Sequence, residues 1–203
     1  RKTKSLAKSL KASNSGIIAE HKRRSPSKQN INNSLSVEEV AKGYENAGVC
    51  GMSVLTDGKY FGGSLDDLTI ARAVSDFPLL RKEFIIDEYQ IIEAKAFGAD
   101  AILLIAAILS PQEILSFSKT AKSLGLDVLL EVHNLNELEK SIMSSIDLIG
   151  VNNRNLKTFK VSLETSRSLA EKIPAEFVKV SESGISEVAS IKKLKALGYQ
   201  GFL

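Results

Sequence analysis

Residues 101–132 read AILLIAAILSPQEILSFSKTAKSLGLDVLLEV. The stretch opens with the longest unbroken apolar run of the chain, nine residues from Ala101 to Leu109. Ser110 then offers a helix N-cap, Pro111 stands at the first helical position, and Glu113 follows three residues after the cap. Ile114, Phe117, Ala121 and Leu124 continue the helical pattern, and Gly125 stops it. A second apolar run, Val128–Val132, comes next. Neither run alternates apolar with polar residues, so both predict strands buried on two faces. A strand, a helix and a strand within roughly 30 residues make one parallel βαβ unit.

The unit recurs along the whole chain. Further strand-like runs lie at Gly16–Ala19, Gly51–Leu55, Leu79–Leu80 continuing to Ile86, Leu148–Val151, Phe177–Val180 and Gly201–Leu203. Ser36 with Glu39 predicts a capping box, with Val37, Val40, Ala41 and Tyr44 on one face. Ser64 caps a helix after the Tyr60-Phe61-Gly62-Gly63 loop. Asp87 opens one that closes at Gly98, Asn134 with Glu137 starts another, and Ser186 opens one that closes at Gly198. Seven strand–helix units and an eighth strand result, with no linker or low-complexity break. Eight parallel strands with intervening helices close most economically as a (β/α)8 barrel, one domain over residues 1–203. The alternative is an open doubly wound sheet. It lacks support from a glycine-rich turn, because Ser25-Pro26-Ser27-Lys28 follows the first strand.

Composition narrows the class. The 203 residues are 43% hydrophobic and 25% charged, a globular balance. A nine-residue apolar run is about half a membrane span, so no transmembrane helix is expected. The start, Arg1 to Lys11, lacks the apolar core of a signal peptide. One cysteine, Cys50, rules out an internal disulfide framework and points to a reducing, cytoplasmic compartment. The net charge of +3 divides into +8 over residues 1–28 and −5 over the rest. A basic start could mark a nucleic-acid module, but no aromatic residues are interleaved with its early lysines for stacking. A solvated terminal segment with some anion-handling residues in a site is the preferred reading.

Polar residues collect at the C-terminal ends of the apolar runs. These ends read Glu20-His21-Lys22, Arg81-Lys82-Glu83-Phe84, Glu131-Val132-His133, Asn152-Asn153-Arg154 and Glu182-Ser183-Gly184. A charge in a buried strand is costly unless paired, and in a barrel this end is the catalytic mouth. Period two puts Glu20 and Lys22 on one face and His21 on the other. His21 and His133 have no carboxylates at ligand spacing, so packing or surface roles are expected of both rather than a metal or acid–base pair. A neighbouring sugar-phosphate isomerase or lyase would need another acid–base pair, such as Cys and Asp on the first and later strands.

Taken together, IIAEHKRRSPSK, SVLTDGKYFGGSLDDL, LLRKEFIIDEYQIIEAKAFGADAILLI, LLEVHNLNELE, IGVNNRNLKTFKVSLETS and VSESGI resemble the indole-3-glycerol phosphate synthases, in the family's order from residue 17 onward. The resemblance implies conversion of 1-(2-carboxyphenylamino)-1-deoxyribulose 5-phosphate to indole-3-glycerol phosphate, CO2 and water, in tryptophan biosynthesis, without metal or organic cofactor. It implies Lys82 as general acid at the ketone oxygen, with a pKa lowered by partial desolvation. Lys22 would hold the substrate carboxylate, Glu20 would orient Lys22, and Glu131 would serve the dehydration. Asn152 and Glu182 match residues that hold the sugar hydroxyls and neighbouring catalytic side chains. Arg154 is expected to brace the mouth through a salt bridge, and Phe61 and Phe84 to wall the aromatic ring. Ser25, Ser183 and Gly184 are the phosphate candidates, the last two through backbone amides.

Relative to the family pattern, residues 1–15 correspond to the end of a helical extension. The turn and closing helix that follow the eighth strand are absent, so the barrel is expected to be C-terminally incomplete. The partners implied are a phosphorylated small molecule and, by fusion or association, other enzymes of the tryptophan pathway, with neither nucleic acid nor membrane.

Overall fold

Ser36, Ser64 and Ser110 each accept a hydrogen bond from the backbone N–H three residues on, and the Glu39, Asp67 and Glu113 carboxylates accept one in turn from the backbone N–H of the cap. These reciprocal boxes satisfy otherwise orphaned amides and fix where the helices begin. The computed structural model describes residues 1–32 and 34–203. Its elements run α1 (Leu6–Ala12), β1 (Ile18–His21), α2 (Val37–Asn46), β2 (Gly51–Leu55), α3 (Leu65–Val74), β3 (Leu79–Lys82), α4 (Glu88–Ala96) and β4 (Ala101–Ile105). They continue α5 (Pro111–Ser123), β5 (Asp127–Val132), α6 (Leu135–Ser141), β6 (Leu148–Asn152), α7 (Glu164–Leu169), β7 (Val178–Glu182), α8 (Val188–Ala196) and β8 (Gly201–Phe202).

All eight strands are parallel and pair in chain order. The ring closes where Ile17 bridges to Phe202 in parallel and Phe202 N–H donates to Gly16 O at 2.9 Å. Gly16 has φ +72°, and a Cβ there would collide with Gln200 O, so the closure point needs glycine. Closure decides for the (β/α)8 barrel over the open sheet.

Two apolar layers hold the barrel. The larger lies between strands and helices and includes Met52, Val54, Leu79, Ile102, Leu104, Leu130 and Ile149. The smaller fills the barrel interior with Leu80, Leu103, Leu129, Leu148 and Val180. Leu6 and Leu10 of α1 belong to this interior layer and plug the end opposite the mouth. Asp127 fixes the plug by accepting from Ser5 Oγ (2.8 Å) and Ala7 N (2.9 Å), and Arg1 pairs with Asp100 at 2.9 Å. The solvated-segment reading therefore needs correcting for residues 1–12, which dock against the barrel because α1 carries two leucines on one face.

Strand ends also differ from expectation. β1 and β7 run on to His21 and Glu182, through charged residues that the barrel can pair. β3 stops at Lys82 and β4 at Ile105, short of Ile86 and Leu109. After Lys82 the chain bends to feed the α4 cap, where Ile86 N–H donates to Gln90 Oε1. After Ile105 it makes a turn closed by Ile108 N–H on Ile105 O. The final helix is capped by Glu187 rather than Ser186, with no side-chain cap bond. Among the described residues no helix is long and apolar enough to cross a membrane.

Candidate active site

At the C-terminal mouth of the barrel a cavity of about 320 Å3 opens, lined by Glu20, Lys22, Ser25, Phe61, Lys82, Phe84, Glu131, Asn152, Arg154 and Ser183. Ten of the twelve residues expected from sequence thus face one space. Register explains the convergence: the last inward-facing positions of β1, β3, β5, β6 and β7 lie at one level around the axis.

Lys82 stands at the base. Its Nζ lies 3.2 Å from Glu182 Oε2 and 3.3 Å from Glu20 Oε2. Lys22 pairs with the other oxygen of Glu20, and Ser53 Oγ donates to Glu20 Oε2 at 3.3 Å. Burial would raise the Glu20 carboxyl, but Lys82 and then Lys22 outweigh it and hold it at about 2. Burial would likewise lower the Lys82 ammonium, yet Glu20, Glu182 and Glu131 hold it above the usual lysine range. The expected lowered pKa of Lys82 is therefore overturned: three carboxylates oppose one desolvation penalty.

Glu182 does not line the cavity. It is fully buried behind Lys82, and burial, reinforced by Glu131 and Glu20 against the pull of Lys82, pushes its carboxyl up to about 7. Glu131 is 4% exposed, and its carboxyl is lowered because His133 and Lys82 outweigh burial. His133 Nε2 is 3.3 Å from Glu131 Oε1, an ion-pair distance, and its Nδ1 is 3.1 Å from Glu137 Oε2. Burial opposes protonation, but the two carboxylates raise His133 to about 9. His133 thus lies outside the cavity lining and meets the site through its ion pair with Glu131. His21 points outward into the strand–helix layer, 2% exposed.

Arg154 departs from expectation. Among the described residues no carboxylate lies within ion-pair reach of it; its guanidinium donates to Phe159 O at 3.3 Å, and its backbone bridges to Val161. The tight loop 154–161 satisfies it with a carbonyl instead. Gly184 lies outside the cavity lining, and the Ser183 amide donates to Leu203 O at 2.9 Å. Of the phosphate candidates on this side, Ser183 Oγ and the Gly184 amide remain available.

An apolar wall completes the mouth. The Phe61 and Phe84 rings sit 6.2 Å apart, and Tyr60 meets Phe84 edge-on at 6.3 Å. Leu156, Phe159 and Ile108 also line the cavity. Sequence reasoning missed these three because each lies in a loop, where no periodicity marks a face. It also missed Arg23 and Arg24, to which no meaning was attached. Both backbone amides donate to Phe61 O, and Arg23 grips Asp67 at 2.5 and 2.9 Å, so the first loop fixes the aromatic wall of the second. Among the described residues no group of three or more His, Cys, Asp or Glu side chains is placed to hold a metal ion.

The fold is shared with enzymes of distant sequence. An HpcH/HpaI aldolase from Desulfitobacterium hafniense superposes with a TM-score of 0.75 at 12% identity, over 98% of this chain and 88% of that one. The N-acetylmannosamine-6-phosphate 2-epimerase of Clostridium perfringens gives 0.68 at 12% identity, over 95% and 87%. Sequence relatives are nearer. An indole-3-glycerol phosphate synthase from Bacteroides thetaiotaomicron is 50% identical over 201 residues, 99% of this chain and 77% of the relative. One from Koribacter versatilis is 48% identical over 187 residues, 92% of this chain and 72% of the relative. The profile of that family matches residues 1–203 without interruption. Continuous matching, half-identical relatives and the mouth geometry agree: the chain belongs to the indole-3-glycerol phosphate synthase family.

Proposed function

We propose that this cavity carries out the family's reaction with the residues named above. The reaction is ring closure, decarboxylation and dehydration of 1-(2-carboxyphenylamino)-1-deoxyribulose 5-phosphate to indole-3-glycerol phosphate, CO2 and water, a carboxy-lyase step of tryptophan biosynthesis. The observation that carries the residue roles is the Lys82 ammonium, held between Glu20 and Glu182 at the base of a cavity with one apolar wall.

In the first step the ring carbon bearing the carboxylate attacks the ketone carbon, and the ketone oxygen gathers negative charge. Lys82, fully protonated among its carboxylates, stabilises that oxygen and gives it a proton. Lys22 at the cavity rim holds the substrate carboxylate, displacing Glu20 as its partner. A single flexible ammonium suits this task, because it lets CO2 leave where a guanidinium fork would grip both oxygens. Loss of CO2 returns the electron pair to the ring. The hydroxyl then departs as water with a proton from an acid, while a base takes a proton from the adjacent ring carbon.

Glu131 serves this last step, with Asn152 beside it on the sugar hydroxyls. Glu182 positions Lys82 from behind, and Phe61 and Phe84 clasp the aromatic ring. Ser25, Ser183 and the Gly184 amide take the phosphate, and Arg154 adds positive charge to that side of the mouth. We read residues 1–203 as one catalytic domain, working in the cytoplasm without nucleic acid or membrane. Other tryptophan-pathway enzymes are the proteins that it would adjoin, by fusion or association.

A direct assay tests the reading. Incubation with the carboxyphenylamino substrate is expected to release a product with indole fluorescence together with one CO2 per turnover. No turnover under any condition would sink it.

A further inference from the structure

Asn153 received no role from the sequence, although its neighbours Asn152 and Arg154 both did. It is 2% exposed and makes more polar contacts than any candidate site residue named above. Its Nδ2 lies 3.0 Å from Ser181 Oγ, 3.0 Å from Glu182 O and 3.2 Å from Ser183 O. Its Oδ1 accepts from Ser166 N at 3.1 Å and from Ser166 Oγ at 2.9 Å. A backbone amide can only donate and a carbonyl can only accept, so these partners fix which end of the side chain is nitrogen. Tyr199 OH donates to Ser166 O at 2.7 Å and ties the network to the approach of β8.

The carbonyls that Asn153 grips belong to a turn in rare geometry. Ser183 has φ +68° and Gly184 φ +76°, two successive left-handed residues, of which only the second is glycine. In a planar trans peptide the C=O and the next N–H point in opposite directions. Glu182 O also accepts from the Asn153 backbone N–H at 2.9 Å, and on the opposite side of that peptide the Ser183 amide donates to Leu203 O at 2.9 Å. Holding Ser183 O at the same Nδ2 turns the Gly184 amide away from Asn153 and out of the strand–helix layer. Among the described residues the Gly184 amide has no protein acceptor.

We infer that Asn153 is a positioning residue for the phosphate end of the substrate: its side chain locks the Ser183–Gly184 turn so that the Gly184 amide faces the anion. This rests on the proposed phosphate role of that turn. Asn153 itself touches no substrate. Asn153→Asp keeps the size but sets an oxygen against two carbonyl oxygens, and Asn153→Ser removes the grip with little added strain; either variant that folds serves the test.

The readouts are steady-state kinetics and the Gly184 amide resonance during titration with inorganic phosphate. Phosphate is expected to shift that resonance in the unaltered protein and to lose the effect in the variants. KM for the substrate is expected to rise about tenfold or more while kcat stays within about threefold, as for a lost charge-assisted hydrogen bond. With the dephosphorylated substrate the variants are expected to match the unaltered enzyme. A phosphate-induced shift equal in variants and unaltered protein, or a fall in kcat at unchanged KM, overturns the inference. If phosphate never shifts Gly184 in the unaltered protein, the phosphate role of the turn fails first, and the inference with it.

Discussion

Gly150 of β6 makes the room that the Glu182 carboxylate occupies: a Cβ at Gly150 would collide with Glu182 Oε1. That oxygen is buried without a hydrogen-bond partner, while Oε2 holds Lys82 at 3.2 Å. Gly150 pairs in register with Glu131 on one side and Val180 on the other, so its missing side chain sits between the strands that carry Glu131 and Glu182. Gly150→Ala is expected to push Glu182 off Lys82 and lower kcat about 10- to 100-fold, as small misplacements of catalytic groups do. Steady-state kinetics checks it, and an unchanged kcat in a folded variant would separate Glu182 placement from turnover.

In the proposed mechanism Lys82 is the group on which the proton transfer depends. Lys82→Ala is expected to reduce turnover by roughly 10²- to 10⁴-fold, the usual worth of general acid–base help. Lys82→Arg restores charge but not the transferable proton, and is expected to stay near the alanine level. A loss under about threefold in Lys82→Ala would remove Lys82 from the acid role.

His133 couples stability to pH. Its folded value of about 9 lies above its ordinary 6.5, so the folded protein binds the extra proton between those pH values. The stabilisation is fully present below about 6.5 and is lost as pH rises through 9. Urea unfolding at pH 6 and pH 10 is expected to show an alkaline loss that is smaller in His133→Asn by about 3 kcal/mol. Without His133 the Glu131 carboxyl loses a cation that lowers it, so the acid limb of the pH–rate profile moves to higher pH. Parallel stability curves for the two proteins would refute the coupling.

Leu10 tests the plug at the far end. It is 1% exposed in the barrel interior, and Leu10→Ala is expected to cost about 2–5 kcal/mol of stability through the cavity it leaves. Activity per folded molecule is expected to persist, because the mouth lies at the other end of the barrel. Denaturant titration beside the fluorescence assay separates the two effects.

Strand and helix order was legible along most of the chain because local physics sets it. Ser110, Pro111 and Glu113 start a helix whatever surrounds them, and the continuous run from Ala101 predicts the doubly buried strand that the structure forms as far as Ile105. Charged residues at the ends of the first, third, fifth and seventh strands likewise pointed to Glu20, Lys82, Glu131 and Glu182 before any coordinates. Parity put Glu20 beside Lys22, and the ion pair between them bears it out.

Charge state and loop contacts were not legible, since both depend on what arrives from elsewhere in the chain. Desolvation of Lys82 could be foreseen, but the carboxylates of Glu20, Glu182 and Glu131, each far away in sequence, reverse the shift. Arg154 looked like half of a salt bridge until the loop to Val161 met it with a carbonyl. The charge of His133 was set only when β5 and α6 placed Glu131 and Glu137 on either side of its ring. The sequence alone therefore determined the element order, the parallel sheet and the polar residues gathered at the strand ends, all products of short-range pattern. Closure at Gly16, the plug made by α1, the protonation of Lys82 and Glu182 and the grip of Asn153 were decided by tertiary structure. Each of these is a contact between residues far apart in sequence, whose energy exists only once the barrel has closed.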